Sequence, residues 1–455
     1  MIERLDHLPH PTAPHAELAL QFSDLNPPLN ARQAVLESER CLYCYDAPCI
    51  NACPSEINIP SFIRNIAQDN LKGAAQTILE ANILGGSCAR VCPTEILCQQ
   101  ACVRNNAREC APVLIGQLQR YALDNAAFGA HPFTRAASTG KRIAVVGAGP
   151  AGLSCAHRLA MLGHDVVLFE AQAKAGGLNE YGIAQYKLPD DFAQDEVEFL
   201  LGIGGIELRT GQRLGDNLSL AELYREFDSV FLGLGLGASR NLGLTGEDAP
   251  GLLAATEWIK ALRQSDDYAS LPLARQCLVI GAGNTAIDMA VQMQRLGADE
   301  VTLVYRRGFA EMGATGHEQD IAKANGVRLL TWARPEQVLL DEAGRVCGMT
   351  FARTLLDNGR LVDSGERFEL PAQAIFKAIG QAFDGASLVD GKASELRREG
   401  ERIWVDSAWR TSVPGIYAGG DCVQPGQDLT VQAVQHGKLA AMAIHQDLMT
   451  QVEAA

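Results

Sequence analysis

The sequence lacks the features that would place the chain in a membrane, outside the cell or on nucleic acid. None of its apolar runs is long enough to cross a bilayer, and the opening stretch MIERLDHLPHP has no apolar segment of a secretory signal. Basic residues are also in deficit, since 39 Lys and Arg face 54 Asp and Glu. The resulting net charge of −15 disfavours nucleic acid and anionic lipid as partners. We therefore expect a cytoplasmic protein.

Cysteine is sparse over most of the chain and concentrated in one segment. Nine of the 13 cysteines fall between Cys41 and Cys110. The remaining four have no nearby partner for a redox-active disulfide, and each is expected to be a small buried residue: Cys155, Cys277, Cys347 and Cys422. In a chain without an export signal, such clustering favours metal or iron–sulfur ligation over disulfide bonds.

Two cysteine blocks interrupt a segment, residues 30–128, whose patterning is mostly helical. They are Cys41-x2-Cys44-x4-Cys49-x3-Cys53-Pro54 and Cys88-x3-Cys92-Pro93-x4-Cys98-x3-Cys102. In ferredoxin-like runs, three close cysteines ligate one cluster and a fourth, preceding a proline, ligates another. The pattern therefore predicts two [4Fe–4S] clusters. A zinc site with four cysteines is the main alternative.

The stretch from Lys141 to Glu170 has the order strand, glycine-rich turn, helix and strand that is typical of dinucleotide binding. Its three motif glycines permit a tight turn, a close approach of backbone to pyrophosphate, and close packing of helix on strand. The helix N-terminus offers N–H groups to phosphates, and Glu170 can accept ribose hydroxyls. We predict an FAD site with these contacts: Gly147, Ala148, Gly149, Pro150, Ala151, Gly152, Glu170, Gly177, Leu178 and Lys187.

A second fingerprint, Gly281-x-Gly283-x-x-Ala286, begins after an apolar run at Cys277 and predicts an NAD(P) site. Tyr305 stands where the first fingerprint has its acid, and two arginines follow it. Their guanidinium groups could hold a 2′-phosphate, which favours NADPH, or stack on adenine and accept NADH. The predicted contacts are Gly281, Ala282, Gly283, Asn284, Thr285, Ala286, Arg306, Arg307, Ala378, Ile379 and Gly380.

The C-terminal part predicts a return to the FAD domain. An apolar strand ends in Gly-Gly-Asp421 and is followed by a helix, so Gly420, Asp421 and Thr430 are expected to join the FAD site. The predicted fold is α/β: an N-terminal α-helical bis-[4Fe–4S] domain, then two Rossmann-like nucleotide-binding domains, the NAD(P) domain inserted in the FAD domain. The predicted boundaries are 1–135 for the helical domain, 141–244 and 379–455 for FAD, and 245–378 for NAD(P). Residues 1–30 are expected to form a surface arm.

This order of domains resembles the glutamate synthase small subunit and, still more, the N-terminal half of dihydropyrimidine dehydrogenase. The segments that carry the resemblance are CLYCYDAPCINACP, RVCPTEILCQQAC, IGQLQRYA, GAGPAG, VYRRGF and YAGGDC. Among these families the chain is most similar to the NAD-dependent bacterial dihydropyrimidine dehydrogenases, in which this part is a separate subunit. The resemblance extends from about residue 30 onward.

The resemblance implies a set of ligands for each cluster. One cluster would be held by Cys41, Cys44, Cys49 and Cys102, and the other by Cys53, Cys92, Cys98 and Gln119. Gln119 stands where dihydropyrimidine dehydrogenase has a glutamine ligand and glutamate synthase relatives have a glutamate. Cys88 and Cys110 are left without a role. Gly313 stands where the NADPH-using pyrimidine enzyme has a further phosphate-binding Arg, and Asn284 replaces a usual Asp, which favours NADH.

The expected activity follows from the same resemblance. Hydride from NAD(P)H would pass to FAD and leave as single electrons through the clusters. The acceptor would be a separate FMN-containing TIM-barrel subunit that reduces uracil and thymine to 5,6-dihydro products. The alternatives are a glutamate synthase small subunit and a general NAD(P)H-dependent electron-transfer module. No catalytic residue is predicted within this chain.

Overall fold

The computed structural model describes residues 2–106, 110–385, 388, 391–424 and 426–453. Contacts among these residues divide the chain into two compact units. The insert unit contains the described residues through Leu25, with Tyr181–Pro189 and Ala238–Ala382. The parent unit contains Asn26–Glu180, Asp190–Gly237 and the described residues from Phe383 onward.

The α-helices are α1 His15–Gln21, α2 Ala31–Glu39, α3 Pro48–Asn51, α4 Ile59–Ala67, α5 Leu71–Ala81, α6 Gly85–Val91, α7 Ile115–Asn125, α8 Pro150–Met161, α9 Leu178–Tyr181, α10 Phe192–Leu201, α11 Leu220–Glu226, α12 Ala255–Arg263, α13 Asn284–Leu296, α14 Gly316–Ala324 and α15 Thr430–Glu453. The strands are β1 Arg142–Val146, β2 Asp165–Phe169, β3 Ile206–Arg209, β4 Ser229–Leu232, β5 Ala238–Ser239, β6 Leu252–Ala254, β7 Gln276–Gly281, β8 Glu300–Val304, β9 Arg328–Leu330, β10 Ala333–Leu340, β11 Val346–Asp357, β12 Arg360–Pro371, β13 Ala374–Ala378, β14 Gln381–Ala382, β15 Arg398–Glu399, β16 Arg402–Ile403 and β17 Ile416–Ala418.

Asparagine caps set the helix boundaries in the cysteine-bearing part of the parent unit. Asn30 and Gln33 form a reciprocal capping box at the start of α2, with both hydrogen bonds 2.9 Å long. The Asn70 side chain accepts the Gly73 N–H at 3.0 Å and starts α5. The stretch from Ser61 to Asn82 is therefore two helices, because a cap at Asn70 ends the apparent continuity of the helical pattern.

The parent unit contains a parallel sheet in the order β17-β4-β1-β2-β3. The strand β1 is buried from Ile143 to Val146, which explains why it is an uninterrupted apolar run. The helices α8 and α15 pack together, and their apolar side chains share one core with residues of β1 and β2. The strand β17 lies beside β4 although the segment Ala238–Ala382 of the insert unit separates them in sequence.

The insert unit has its own parallel sheet in the order β6-β13-β7-β8-β9. It also contains an antiparallel meander formed by β10, β11 and β12. Each parallel sheet contains a strand that is followed by a glycine turn and a helix: β1 before α8, and β7 before α13. The N-terminal helical segment and the nested pair of sheets confirm the predicted fold class. The residue limits of the individual domains stay predictions.

The N-terminal segment is not the surface arm that we expected. Leu5, Leu18 and Phe22 are buried in the core of the insert unit, in the cluster that contains Trp258. The segment is rich in Pro and His, and its few apolar side chains are irregularly spaced, so the sequence pattern did not indicate that they are buried. Burial of these side chains stabilises the segment on the unit.

Two further expectations concern the lone cysteines and the membrane. Cys155, Cys277 and Cys422 are buried as expected, but Cys347 is exposed on β11, so that expectation is wrong there. Alternate residues of this antiparallel strand point away from the core.

No helix in the described ranges combines the length and apolar character that a membrane crossing requires.

The contact between α8 and α15 yields a stability prediction. A Cβ at Gly437 of α15 would overlap the Ala151 carbonyl oxygen of α8. Gly437→Ala should therefore lower the free energy of unfolding by about 1–3 kcal/mol in urea denaturation, as overpacking does. Helix propensity alone predicts the opposite sign, a gain of about 1 kcal/mol.

Gly316→Ala is the matched control for this substitution. Gly316 is also helical, and a Cβ there would meet no atom within 4 Å. It should be neutral or stabilising. Equal effects of the two substitutions would show that the approach of α8 and α15 is not tight.

Candidate functional site

The first predicted set of cysteines lines one pocket of the parent unit. The pocket is bordered by Cys41, Cys44, Cys49 and Cys102. All four side chains are half-buried. The pKa of Cys49 is raised to about 11, first by burial and then by the charges of Cys41 and Cys102. The fold thus brings together three thiols of the first block and the last thiol of the second.

Three cysteines of the second set also lie near one another. The pKa of Cys92 is raised well above its ordinary value by a hydrogen bond with Cys88, by burial and by the charges of Cys98 and Cys53. Cys88, for which the resemblance implied no role, is therefore at this site as well. Among the described residues, no three Cys, His, Asp or Glu side chains group as ligands of a single ion.

Gln119 lies on α7 and is 7% exposed. Its Nε2 donates a hydrogen bond of 2.7 Å to the carbonyl oxygen of Gly85, the first residue of α6. The bond orients the amide and leaves Oε1 as the atom that could bind a metal. Within the described part of the chain, no hydrogen bond joins Gln119 to the cysteines of its predicted set.

Glu196 is a buried residue of α10 that the sequence did not single out. Its Oε1 accepts the N–H groups of Gly86 and Ser87 at 2.8 and 3.0 Å, and its Oε2 accepts the Ser87 hydroxyl at 2.5 Å. Burial raises the pKa of Glu196 to about 7 although these donors act in the opposite direction. Glu196 therefore caps α6, the helix that leads to Cys92. A glutamate within an amphipathic helix pattern carries no signal of this role.

The first glycine loop is a cradle of bare backbone. Gly147 has a φ of +98°, and a Cβ there would overlap the Gly233 carbonyl oxygen. A Cβ at Gly152 would overlap the carbonyl oxygen of Gly147. Gly149 precedes α8, whose first residue is Pro150. The loop therefore offers N–H groups at the start of a buried helix, which suits a pyrophosphate.

Glu170 lies beside this loop, as predicted. Its Oε2 accepts the Ala148 N–H at 2.8 Å and its Oε1 accepts the Gln172 N–H at 2.7 Å. Each carboxylate oxygen keeps a lone pair for a ribose hydroxyl. Gly177, with a φ of +57°, also packs on the loop, because a Cβ there would be 2.6 Å from Gly149 Cα. Leu178 follows as the partly exposed start of α9.

The Gly-Gly-Asp segment joins the same site. A Cβ at Gly420 would lie 3.0 Å from Ala151 Cβ at the start of α8. Burial raises the pKa of Asp421 to about 7, with Asp428 acting in the same direction. Thr430 opens α15 and donates to Asn179 Oδ1 at 3.2 Å. The structure therefore gathers predicted FAD contacts from both ends of the parent unit.

The second glycine loop, in the insert unit, repeats the arrangement. Gly281 has a φ of +149°, and a Cβ there would overlap the carbonyl oxygen of Ala378 at the end of β13. Gly283 precedes α13, so Thr285 lies in its first turn and Ala286 is buried. The Oδ1 of Asn284 is buried and has no hydrogen-bond partner among the described residues. An orphan acceptor at the loop suits a ligand that brings a donor.

Lys187 belongs to the insert unit, whereas the other predicted FAD contacts lie in the parent unit. Its buried Nζ is 2.7 Å from a carboxylate oxygen of Asp288 and 2.7 Å from one of Glu318. The Tyr186 hydroxyl donates to Asp288 at 3.2 Å. Asp288 lies one helical turn after Asn284, so this buried ionic group is next to the second glycine loop. The sequence motif did not predict these partners.

The two arginines after β8 differ in exposure. Arg306 is exposed and Arg307 half-buried, and neither forms an ion pair within the described residues. Gly313 lies beside the second loop, since a Cβ there would be 3.8 Å from the Ala282 carbonyl oxygen. The Ala314 N–H donates to the same carbonyl at 2.8 Å.

Family comparisons agree with both parts of this geometry. Residues 19–129 match the family described as dihydropyrimidine dehydrogenase domain II, 4Fe-4S cluster. Residues 141–437 match the pyridine nucleotide-disulphide oxidoreductase family. The residues present fit the implied cofactors: thiols around a pocket for iron–sulfur, and two bare-backbone loops for FAD and NAD(P). The iron–sulfur match disfavours zinc.

Individual relatives cover nearly the whole chain. The NAD-dependent dihydropyrimidine dehydrogenase subunit PreT of Salmonella typhimurium is 35% identical over 93% of this chain and 96% of its own length. The glutamate synthase [NADPH] small chain of Escherichia coli is 32% identical over 97% of each chain. FprA of Mycobacterium tuberculosis, solved in complex with NADPH, shares the fold, with a TM-score of 0.56 and 18% identity over 69% of this chain and 86% of its own.

The chain therefore belongs to the pyridine nucleotide-disulphide oxidoreductase family, in the group that holds the PreT subunit of NAD-dependent dihydropyrimidine dehydrogenase and the small chain of glutamate synthase.

Proposed function

We propose that this chain is the electron-input subunit of a pyrimidine-reducing dehydrogenase. The observation that carries the proposal is the pocket lined by four cysteines in the same compact unit as the first glycine loop. When bound, FAD would take hydride from NAD(P)H and iron–sulfur clusters would carry its electrons singly. The similarity to PreT supports a pyrimidine as the final acceptor of those electrons.

The residues of this chain would hold and orient the cofactors. The backbone of Gly147, Gly149 and Gly152 would cradle the FAD pyrophosphate, with Glu170 on the ribose. Asp421 would contact the flavin side chain. In the insert unit, the loop from Gly281 to Ala286 would bind the nicotinamide dinucleotide. Binding in a defined orientation is what hydride transfer requires of the protein.

The cluster ligands are proposed as two sets. Cys41, Cys44, Cys49 and Cys102 would hold one cluster, and Cys53, Cys92, Cys98 and Gln119 the other. The pocket supports the first set. The proximity of three thiols and the fixed amide of Gln119 support the second.

The pyrimidine site would belong to a partner. We propose a separate FMN-containing TIM-barrel subunit that reduces uracil and thymine to their 5,6-dihydro products, in a cytoplasmic hetero-oligomer. The alternative is service as the small chain of a glutamate synthase, which the 32% identity to that protein favours. The glutamine at position 119 favours the pyrimidine enzyme, because the glutamate synthase relatives have a glutamate there.

The division of labour can be tested with purified subunits. The chain, reconstituted anaerobically with FAD, iron and sulfide, should oxidise NADH with an artificial electron acceptor and leave uracil unchanged. Uracil-dependent NADH oxidation should appear only when an FMN-barrel subunit is added. Glutamate formation with a glutamate synthase large chain, and none with uracil, would select the alternative. Uracil reduction by this chain alone would contradict both.

Gln119 offers a test of the second ligand set. Gln119→Cys should keep the cluster and lower its reduction potential, because a thiolate adds negative charge near the iron. Gln119→Ala should alter the EPR spectrum of one cluster only. Gln117→Ala is the matched control, since it removes the same amide from the same helix. If Gln119→Ala leaves both spectra and potentials as in the wild type, Gln119 is not a ligand.

Gly313 offers a test of nicotinamide preference. Its Cβ position is open and lies beside the second loop, so Gly313→Arg can place a guanidinium near a 2′-phosphate. The ratio of kcat/KM for NADPH over NADH should rise about tenfold or more, as expected for one charged hydrogen bond of about 1.5–3 kcal/mol. Gly316→Arg, in the open first turn of α14, should leave the ratio unchanged. A rise with both variants would point to a general charge effect instead.

A further inference from the structure

The helix α15 is tied to the first nucleotide loop. It follows the Gly-Gly-Asp segment, and Gly437 packs directly on Ala151 in the first turn of α8. The Ser154 hydroxyl donates to the Val434 carbonyl oxygen at 2.8 Å. The position of α15 is therefore determined by the helix that begins at the first glycine loop.

The next residue, Lys438, extends from α15 to the end of α5 and to the loop after Cys53. Its Nζ donates to the Ala81 carbonyl oxygen at 2.8 Å and to the Ser55 carbonyl oxygen at 3.2 Å. Ser55 lies two residues after Cys53, and Ala81 is the last residue of α5. The Ser55 hydroxyl also reaches α15, at the Val431 carbonyl oxygen 3.5 Å away. Lys438 of α15 therefore contacts both the segment after Cys53 and the C-terminal end of α5.

The charge of Lys438 has no carboxylate within ion-pair distance among the described residues. Its acceptors are neutral carbonyls, and those of α5 lie at the partly negative end of a helix. Arg158 of α8 donates to the neighbouring Glu80 carbonyl oxygen at 2.7 Å, so two cations meet this helix end. The pKa of Lys438 is lowered to about 8, mainly by burial and also by the charge of Arg158, although Glu56 and Cys53 act in the opposite direction. The amine is therefore mainly charged at neutral pH.

We propose that Lys438 is a positioning residue that holds the Cys53 segment on α15 and, through its positive charge, raises the reduction potential of the cluster that Cys53 ligates. The proposal rests on the proposed function, because it requires that Cys53 is a cluster ligand. An added electron on that cluster is stabilised by a nearby cation that, among the described residues, forms no ion pair with a carboxylate. At such partly buried sites the attraction between charges is much stronger than in water.

The decisive measurement is the reduction potential of each cluster, from an EPR-monitored redox titration of the full chain reconstituted with FAD and clusters. Lys438→Met and Lys438→Gln remove the charge, and Gln keeps an N–H donor. Both should lower the potential of one cluster and leave the other as in the wild type. The expected loss is about tenfold in the equilibrium constant for reducing that cluster, equivalent to about 59 mV for one electron.

Two further variants separate charge from packing and from total charge. Lys438→Arg keeps the cation and should keep the potential within about twofold of the wild-type equilibrium constant. Lys72→Met removes one charge from the exposed side of α5 and should change neither cluster. A wild-type potential in Lys438→Gln, or an equal shift in Lys72→Met, overturns the proposal.

Assembly of the clusters is followed by iron and sulfide content in every variant. If the neutral variants lose one cluster and Lys438→Arg retains it, the requirement for the cation is supported by assembly itself. Loss in Lys438→Arg as well overturns it. The proposed function fails separately, if wild-type protein binds no iron and sulfide or does not oxidise NADH.

Discussion

The parent unit depends on the close approach of α8 and α15. The backbone of α8 at Ala151 leaves room only for hydrogen at Gly437, and the Ser154 hydroxyl donates to the Val434 carbonyl oxygen of α15. The first helix begins at the glycine loop, and the second begins after the Gly-Gly-Asp segment. The predicted FAD contacts lie almost 300 positions apart, from Gly147 to Thr430, and the packing of these two helices brings both ends of that set together.

Charged side chains at helix ends join α5 to the pair formed by α8 and α15, and α6 to α10. Glu196 occupies the N-terminus of α6, where the partial charge is positive, and Lys438 and Arg158 occupy the C-terminus of α5, where it is negative. The two sites have opposite sign, as helix dipoles require. Electrostatic attraction thus orients α5 and α6, and the cost of burying these charges is offset by backbone hydrogen bonds.

The nucleotide loops were predictable because their chemistry is local. Gly147, Gly281 and the helices after them lie within a few residues of each other, so spacing alone indicates the turn, the bare backbone and the helix N-terminus. The return of the chain to the first sheet was also visible, because β17 is an apolar run ending in Gly-Gly-Asp. Lys187 shows the limit of such reasoning, since its partners Asp288 and Glu318 are about 100 and 130 positions away.

The sequence by itself determined the order of the domains, both glycine loops and the two cysteine blocks, because each depends on residues close together in the chain. The tertiary structure placed the four thiols that the resemblance had grouped at one pocket, and it alone decided that Cys88 is next to Cys92 and that Leu5 and Phe22 are core residues. The tertiary structure also showed that Glu196 and Lys438, among the many charged residues of the chain, contact the ends of helices. The physical reason is that a contact between distant segments depends on how whole helices pack. A charged residue in a helical pattern gives no indication in the sequence of whether its side chain contacts water or a buried helix end.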